Sequence, residues 1–342
     1  MKRDIRDLTF RELEGEIIRM GEGAHRARQI FLWINRKGAG TFSVMTDLPK
    51  SLIKKLEKWF VVGGAECVKR VRSKDGTEKF LWRLEDGKHI ESVLINEKNR
   101  HTVCVSTQVG CRFRCPFCAS GTRGFFRDLT VSEIVGQVTE TAKLCGLRVT
   151  NVVFMGMGEP LDNYDNLVNA VRTINNPEGP GIGARKITVS TCGIVPGIRK
   201  LKELGLQVEL SVSLHAVYDS LRDELVPVNK KYPLKELLSA CREYYEETGR
   251  EVTLEYTVIE GKNDSAREAA ALAAIARGLN AKINLIKCSG TGGEPGRVTG
   301  RESIRLFRER LLAKRAKVTI RKSRGADILA ACGQLAGKEH EI

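Results

Sequence analysis

Three cysteines stand close together in the stretch 105–121. Cys111, Cys115 and Cys118 are spaced C-x3-C-x2-C, with Phe117 beside the last. Thiolates are soft ligands that suit zinc, copper(I) or iron–sulfur clusters. A structural zinc site closes with four ligands, whereas a catalytic one keeps a position open. No fourth Cys or His lies within this loop. Three ligands therefore leave an open coordination position, where a metal centre can do chemistry. Spacing alone leaves two other readings open: a zinc site completed by a distant ligand, and three ordinary buried cysteines.

Composition narrows the setting. The 342 residues include 57 Lys and Arg against 42 Asp and Glu, a net charge of +15. An excess of that size suits a polyanionic partner, because each neutralised phosphate releases counterions. Its basic residues are widely spread, so the charge could also serve solubility alone. With 42% apolar and 29% charged residues, the chain reads as a soluble globular protein with room for a sizeable core. No apolar run has the length of a membrane span, and Met1-Lys-Arg-Asp leads into no apolar signal core. The expected location is therefore the cytoplasm. Ten cysteines in such a chain point to metal binding or catalysis rather than a disulfide scaffold.

The elements that must position the cysteines follow from periodicity. Residues 1–60 read as a small helical domain with a basic face, able to contact RNA or simply to cap the core. Residues 61–100 read as strands at Glu66–Arg72, Glu78–Leu84 and His89–Ile95, joined by Asp-Gly turns that signal hairpins. From residue 101 strands and helices alternate. Strands are expected at Thr102–Thr107, Asn151–Met155, Lys186–Thr191, Gln207–Ser213, Glu251–Val258 and Lys282–Lys287. Helices are expected at Val131–Leu144, Tyr164–Asn175, Val195–Leu204, Leu234–Thr248, Asp264–Arg277 and Glu302–Arg315. Thr130-Val-Ser-Glu133 fits a capping box and Asp264 can cap its helix. Six βα units imply an α/β fold, a partial (β/α)6 barrel over residues 101–322, with Lys317–Arg321 as a further strand. Chemistry in such barrels sits at the C-terminal strand ends, and the cysteine loop follows the first strand. Residues 323–342 form a tail.

Several motifs cluster at those strand ends. Met155-Gly-Met-Gly-Glu-Pro160 offers close backbone approach at Gly158 and a carboxylate at Glu159. Ser190 lies in Thr188-Val-Ser-Thr191, and Ser213, Leu214 and His215 lie in Ser211-Val-Ser-Leu-His-Ala216. Each alone reads as ordinary turn chemistry, with His215 a structural histidine. Cys104 precedes the cysteine loop, and Cys332 lies in the small-residue tail Arg324–Gln334. Cys67, Cys145, Cys192, Cys241 and Cys288 read as small buried hydrophobes.

The cysteine spacing with its aromatic resembles the cluster loop of radical S-adenosylmethionine enzymes. There three cysteines ligate a [4Fe-4S] cluster whose fourth iron chelates the cofactor. Met155–Pro160 resembles the segment that holds the cofactor's amino group, with Met157 in place of its first glycine. Trp33-Ile-Asn-Arg-Lys, Met45-Thr-Asp-Leu-Pro, His89-Ile-Glu-Ser-Val, Cys104-Val-Ser-Thr-Gln-Val-Gly-Cys111, Ser213-Leu-His-Ala and Ala331-Cys-Gly-Gln-Leu together resemble the dual-specificity 23S rRNA/tRNA adenine-C2 methyltransferases. Adenine-C8 methylation of 23S rRNA, by close relatives with the same machinery, is the alternative.

That resemblance implies a set of roles. Cys332 takes a methyl group from one S-adenosylmethionine. A second, held at the cluster by Cys111, Cys115 and Cys118, yields a 5′-deoxyadenosyl radical that takes hydrogen from the S-methyl group. The carbon radical adds to adenine, Glu91 takes up the ring proton, and Cys104 attacks Cys332 sulfur to release product. The resulting disulfide is reduced each cycle. Gly158, Glu159, Ser190, Ser213, Leu214, His215 and Ser289 line the cofactor site. Ser289 stands where the family usually has Asn, in Leu285-Ile-Lys-Cys-Ser289. Implied partners are 23S rRNA, tRNA, an electron donor and a disulfide reductant, for a chain acting as a monomer. The target base must leave its stack. Arg321, Lys322 and Arg324 are expected to contact phosphates, with Lys314, Arg315 and Lys317 as a further cluster.

Overall fold

The computed structural model describes residues 2–288 and 300–337. At the N-terminus, helices α1 (Phe10–Arg19), α2 (His25–Asn35) and α3 (Lys50–Trp59) bury Leu13, Ile17, Ile30, Phe31, Leu52 and Leu56 in a core of their own. Thr9 caps α1 through a reciprocal box with Glu12. Asp7 ties this layer to the rest by accepting a hydrogen bond from the Ser132 amide (2.8 Å).

A ten-stranded sheet follows in which spatial order equals chain order. β1 (Glu66–Arg72), β2 (Glu78–Arg83), β3 (His89–Glu97) and β4 (Arg100–Cys104) pair antiparallel. Gly76 and Gly87 supply the positive φ of the two Asp-Gly turns, +84° and +76°. β4 then opens a parallel run: β5 (Asn151–Phe154), β6 (Ile187–Thr191), β7 (Glu209–Ser213), β8 (Thr253–Val258), β9 (Lys282–Lys287) and β10 (Val318–Ile320). The antiparallel strands do not make a separate sheet; they extend the parallel one. The sheet is unclosed, since β1 and β10 are both edges, as a partial barrel requires.

Helices α4 (Val131–Cys145), α5 (Tyr164–Asn175), α6 (Val195–Lys202), α7 (Leu234–Thr248), α8 (Ala266–Gly278) and α9 (Arg301–Ala313) connect the parallel strands. The Thr130–Glu133 capping box forms as expected. The cap of α8 differs: Ser265 Oγ accepts from the Arg267 and Glu268 amides. Asp264 is spent one residue earlier, accepting from the Gly261 amide and Ser303 Oγ. Among the described residues no helix is long and apolar enough to cross a membrane.

Parallel pairing puts Cys104, Phe154, Thr191, Ser213, Val258 and Lys287 at one end of the sheet. A two-stranded ribbon that alternation did not reveal, Gln108–Gly110 with Phe125–Asp128, grips the cysteine loop at its base. Each strand is four residues or fewer, too short for a period-2 signal. Gly110, next to Cys111, has φ +78°, and an added Cβ would overlap the Gly124 carbonyl oxygen. Gly110→Ala is therefore expected to cost about 2 kcal/mol or more. Gly40→Ala, which meets nothing within 4 Å, is the control. Thermal unfolding of the two proteins compares them; matching midpoints would contradict this account.

Candidate active site

One cavity at the C-terminal strand ends gathers most of the expected residues. Cys111, Cys115, Cys118, Gly158, Glu159, Ser190, Ser213, His215 and Cys332 all line it. Three expected residues stand elsewhere. Leu214 is fully buried and offers the site only its backbone. Glu91 and Cys104 lie behind the wall, beneath the tail. Ser289 falls outside the described residues. Cys192, Glu255, Cys288 and Arg321 line the cavity although only its strand-end position in the fold distinguishes them.

The donor set fits a cluster. The three thiols share the cavity wall, yet among the described residues no group of His, Cys, Asp or Glu converges on a single ion. Cys192 lines the same cavity. Burial pushes the Cys111 thiol up to about 12, and the other two thiols rise for the same first reason, with neighbouring sulfurs adding to Cys115. Adjacent buried thiolates need positive charge among them, which iron supplies. Phe113, Cys115 and Phe117 pack on an apolar floor of Ala216, Leu225, Val226, Val228 and Ile259, a dry shell that suits a cluster.

Neighbouring loops are locked by buried polar groups. Glu159 is buried; its carboxylate accepts from the Leu161 (3.1 Å) and Cys192 (2.8 Å) amides, and burial raises its pKa. Gly158, at φ +94°, packs so close to Gln108 that a Cβ would lie 2.5 Å from it. Arg222, wholly buried, donates to the carbonyls of Cys192 (2.7 Å), Ser213 (3.2 Å) and Leu214 (3.1 Å) and to Asn229 Oδ1 (2.9 Å). It thereby joins the ends of β6 and β7. A lone arginine in a helix of seven residues gave no sequence signal for this.

His215 sits at φ +57° and accepts at Nδ1 from the Thr257 amide (3.0 Å), so the neutral ring carries its proton on Nε2. Its ring meets Phe117 edge-on at 5.0 Å. Burial, with Arg222 nearby, lowers its pKa from 6.5 to about 3.

The tail folds back onto the cluster loop. The Ala119 amide donates to the Gly333 carbonyl (2.7 Å), and Ser120 Oγ donates to the Leu335 carbonyl (2.6 Å). Glu91 Oε2 accepts from the Ala336 (2.6 Å) and Gly337 (2.9 Å) amides. Its Oε1 pairs with Lys79 Nζ at 2.9 Å, both side chains 2% exposed. Glu91 is therefore not a surface carboxylate. Cys332, exposed, is close enough to Cys104 to influence it: burial, then Cys332, push the Cys104 thiol up to about 12. Arg321 is drawn into this group rather than to the surface. Its Nη1 lies 3.7 Å from Glu255 Oε1 and donates to Met155 Sδ (3.1 Å). Arg324 pairs with Glu97 (2.9 Å). Of the three expected phosphate contacts, only Lys322 forms no such ion pair among the described residues. A second cavity, lined by Arg100, Lys322 and Arg324, reaches Cys332 from the other side of the tail.

Comparison with known proteins agrees with this geometry. Residues 105–274 match the radical SAM superfamily model and residues 3–62 match the ribosomal RNA large subunit methyltransferase N-terminal domain. The chain is 42% identical to the probable dual-specificity RNA methyltransferase RlmN of Lachnospira eligens, covering 99% of this chain and 97% of that protein. It is 44% identical to the dual-specificity RNA methyltransferase RlmN of Anaeromyxobacter sp., covering 98% and 91%.

The chain belongs to the RlmN family. A crystal structure of a radical SAM methyltransferase from Sphaerobacter thermophilus superimposes with TM-score 0.93, at 46% identity over 98% of this chain and all of that one. RlmN proteins are radical SAM enzymes, so the cofactors are a [4Fe-4S] cluster and S-adenosylmethionine. In this RlmN chain the three thiols and the polar strand-end residues line one cavity.

The depressed His215 pKa has a measurable consequence. The unfolded chain takes up a proton near pH 6.5 that the folded chain refuses until about pH 3. Stability is thus fully present above 6.5 and falls as pH drops through that window. At pH 5 the loss is about 2 kcal/mol. His215→Gln should remove this part of the acid sensitivity in urea titrations at pH 5 and 7.5. An unchanged pH dependence would contradict the assignment.

Proposed function

We propose that this chain methylates C2 of a specific adenine in 23S rRNA and in tRNA, through an S-methylated Cys332. The observation that carries the reading is the docking of the Cys332 tail on the cysteine loop, with Cys104 beside it. The relatives are named RlmN dual-specificity RNA methyltransferases, which favours C2 over C8. The charge of +15 suits RNA. We assign residues 1–60 to RNA contact, 61–100 to a β extension, 101–322 to the cluster-bearing partial barrel and 323–342 to the methyl-accepting tail. The setting is the cytoplasm, the acting form a monomer, and the partners include an electron donor and a disulfide reductant.

Cys111, Cys115 and Cys118 would hold the cluster. When bound, it supplies the one-electron chemistry that bond formation at an electron-poor ring carbon needs. The chain's own groups do the rest. Gly158, Glu159, Ser190, Ser213, His215 and the Leu214 backbone bind S-adenosylmethionine, with Ser289 assigned to the same task. His215 Nε2–H is a fixed donor there, because Nδ1 is already occupied. The Cys332 thiolate displaces the methyl group from sulfonium sulfur: one S–C bond forms as another breaks. Glu91 takes up the C2 proton; Oε2, now held by two tail amides, is freed when residues 336–337 lift. Cys104 thiolate then attacks Cys332 sulfur. The S–S bond forms, the bond from that sulfur to the RNA-bound carbon breaks, that carbon leaves with the electron pair and takes a proton from water to become the methyl group, and a dithiol reductant restores both thiols.

Single Ala variants at Cys111, Cys115 or Cys118 should lose iron and visible absorbance, where the parent holds about four iron and four sulfide per chain. Full iron in a variant lacking all three would defeat the ligand set. The two tail-site cysteines should fail differently. Cys332→Ala accepts no methyl group and forms no protein–RNA adduct. Cys104→Ala is methylated and then traps RNA covalently, because nothing breaks the thioether. Anaerobic incubation with RNA and S-adenosylmethionine, read on a denaturing gel, separates them; normal turnover by Cys104→Ala would sink the division of roles.

A further inference from the structure

On the face opposite the cysteine cavity, a second cleft lies between the N-terminal helices and the helix layer of the sheet. Arg36 and Lys37 at the end of α2, Lys143 near the end of α4 and Arg148 before β5 line it, and Pro177, Gly179, Pro180 and Gly181 after α5 close it. No Asp or Glu lines it. All four cations are exposed. Some cations elsewhere on the surface do have acidic partners: Arg199 and Lys202 pair with Glu243, and Arg305 pairs with Glu302 and Glu309. The carboxylate next to this cleft, Glu178, is taken by Arg28 at 2.6 Å. Lys37 lies 3.6 Å over the Trp33 ring, and Lys143 Nζ donates to the Gly38 carbonyl (3.4 Å).

A structural explanation exists and is too small. The C-terminal ends of α2, α4 and α5 converge here, and each carries about −0.5 of an elementary charge. Three ends offset about 1.5 of the four positive charges, leaving a surplus near +2.5 that no carboxylate lining the cleft neutralises among the described residues. Distance is informative too. α4 starts beside the cysteine cavity and ends at the cleft; its 15 residues span about 22 Å. A nucleotide seated in the cavity cannot touch the cleft, but a structured RNA extending from it can.

We propose that this cleft holds the sugar–phosphate backbone of the substrate RNA, remote from the adenine that enters the cysteine cavity. Resting on the RNA reading above, the assignment adds a length requirement: RNA that reaches the cleft binds through two separated surfaces. Val138, Ala142 and Leu147 with the apolar stems of the basic side chains give the backbone a floor, and the four cations neutralise phosphates.

The test uses the cluster-loaded protein and two RNAs, a stem-loop carrying the target adenine and its isolated loop. A variant with Arg36→Gln, Lys37→Gln, Lys143→Gln and Arg148→Gln is compared with the parent by fluorescence anisotropy over a salt series. For the stem-loop, affinity should fall at least tenfold and the log–log salt slope should shrink by about 3, the share of four phosphates. For the isolated loop both should be unchanged, as should cleavage of S-adenosylmethionine without RNA and the circular dichroism spectrum. Equal weakening for both RNAs, or an unchanged salt slope, overturns the proposal. A parent protein that neither binds nor methylates the stem-loop overturns the RNA reading itself and this one with it.

Discussion

The Glu91 carboxylate is the hub on which the site depends. One oxygen is paired with Lys79 and the other receives two tail amides. Its own carbonyl accepts from Ser106 Oγ (2.6 Å), which in turn accepts from the Met157 amide (2.9 Å). Four parts of the chain thus meet at one residue: β2, the segment after β4, the turn after β5, and the tail. A buried charge left without its partner costs about 3–5 kcal/mol. That cost makes the tail's closed position specific, though few apolar side chains anchor it.

The same economy governs the rest of the cavity. Charged groups there are buried with their needs met by backbone: Arg222 by three carbonyls, Glu159 by two amides. Polar groups spent on backbone hold loops at fixed angles, which a cluster and a chelated cofactor require. His215 follows the same rule, since the amide on Nδ1 fixes the tautomer that faces the cavity.

Arg321 links the two halves of the chemistry. It follows β10 directly, its amide donating to the Leu285 carbonyl (2.8 Å), and its guanidinium lies near Cys332, Glu255 and Cys104. A cation near both cysteines offsets the charge of a thiolate on either. The strand order makes this arrangement possible. β4 and β10 sit six strands apart in the sheet, yet the tail after β10 crosses the open mouth back to β2 and β3.

The cofactor role of Gly158 and Glu159 came only with the family resemblance, whereas the cysteine triplet, the βα alternation and the Asp-Gly hairpins were legible in the sequence by itself. These are local signals: ligand spacing, period and turn chemistry are written within a few residues. It left Cys104, Cys332 and Glu91 as isolated side chains with roles only by resemblance. Tertiary structure alone decided that the antiparallel strands continue the parallel sheet, that Glu91 pairs with Lys79, and that Arg321 turns inward. It also replaced Asp264 by Ser265 as the cap of α8 and moved Leu214 into the core. The physical reason is common to all of these. Burial and pairing are properties of residues brought together from far apart in the chain, and no local pattern encodes which buried charge will find which partner.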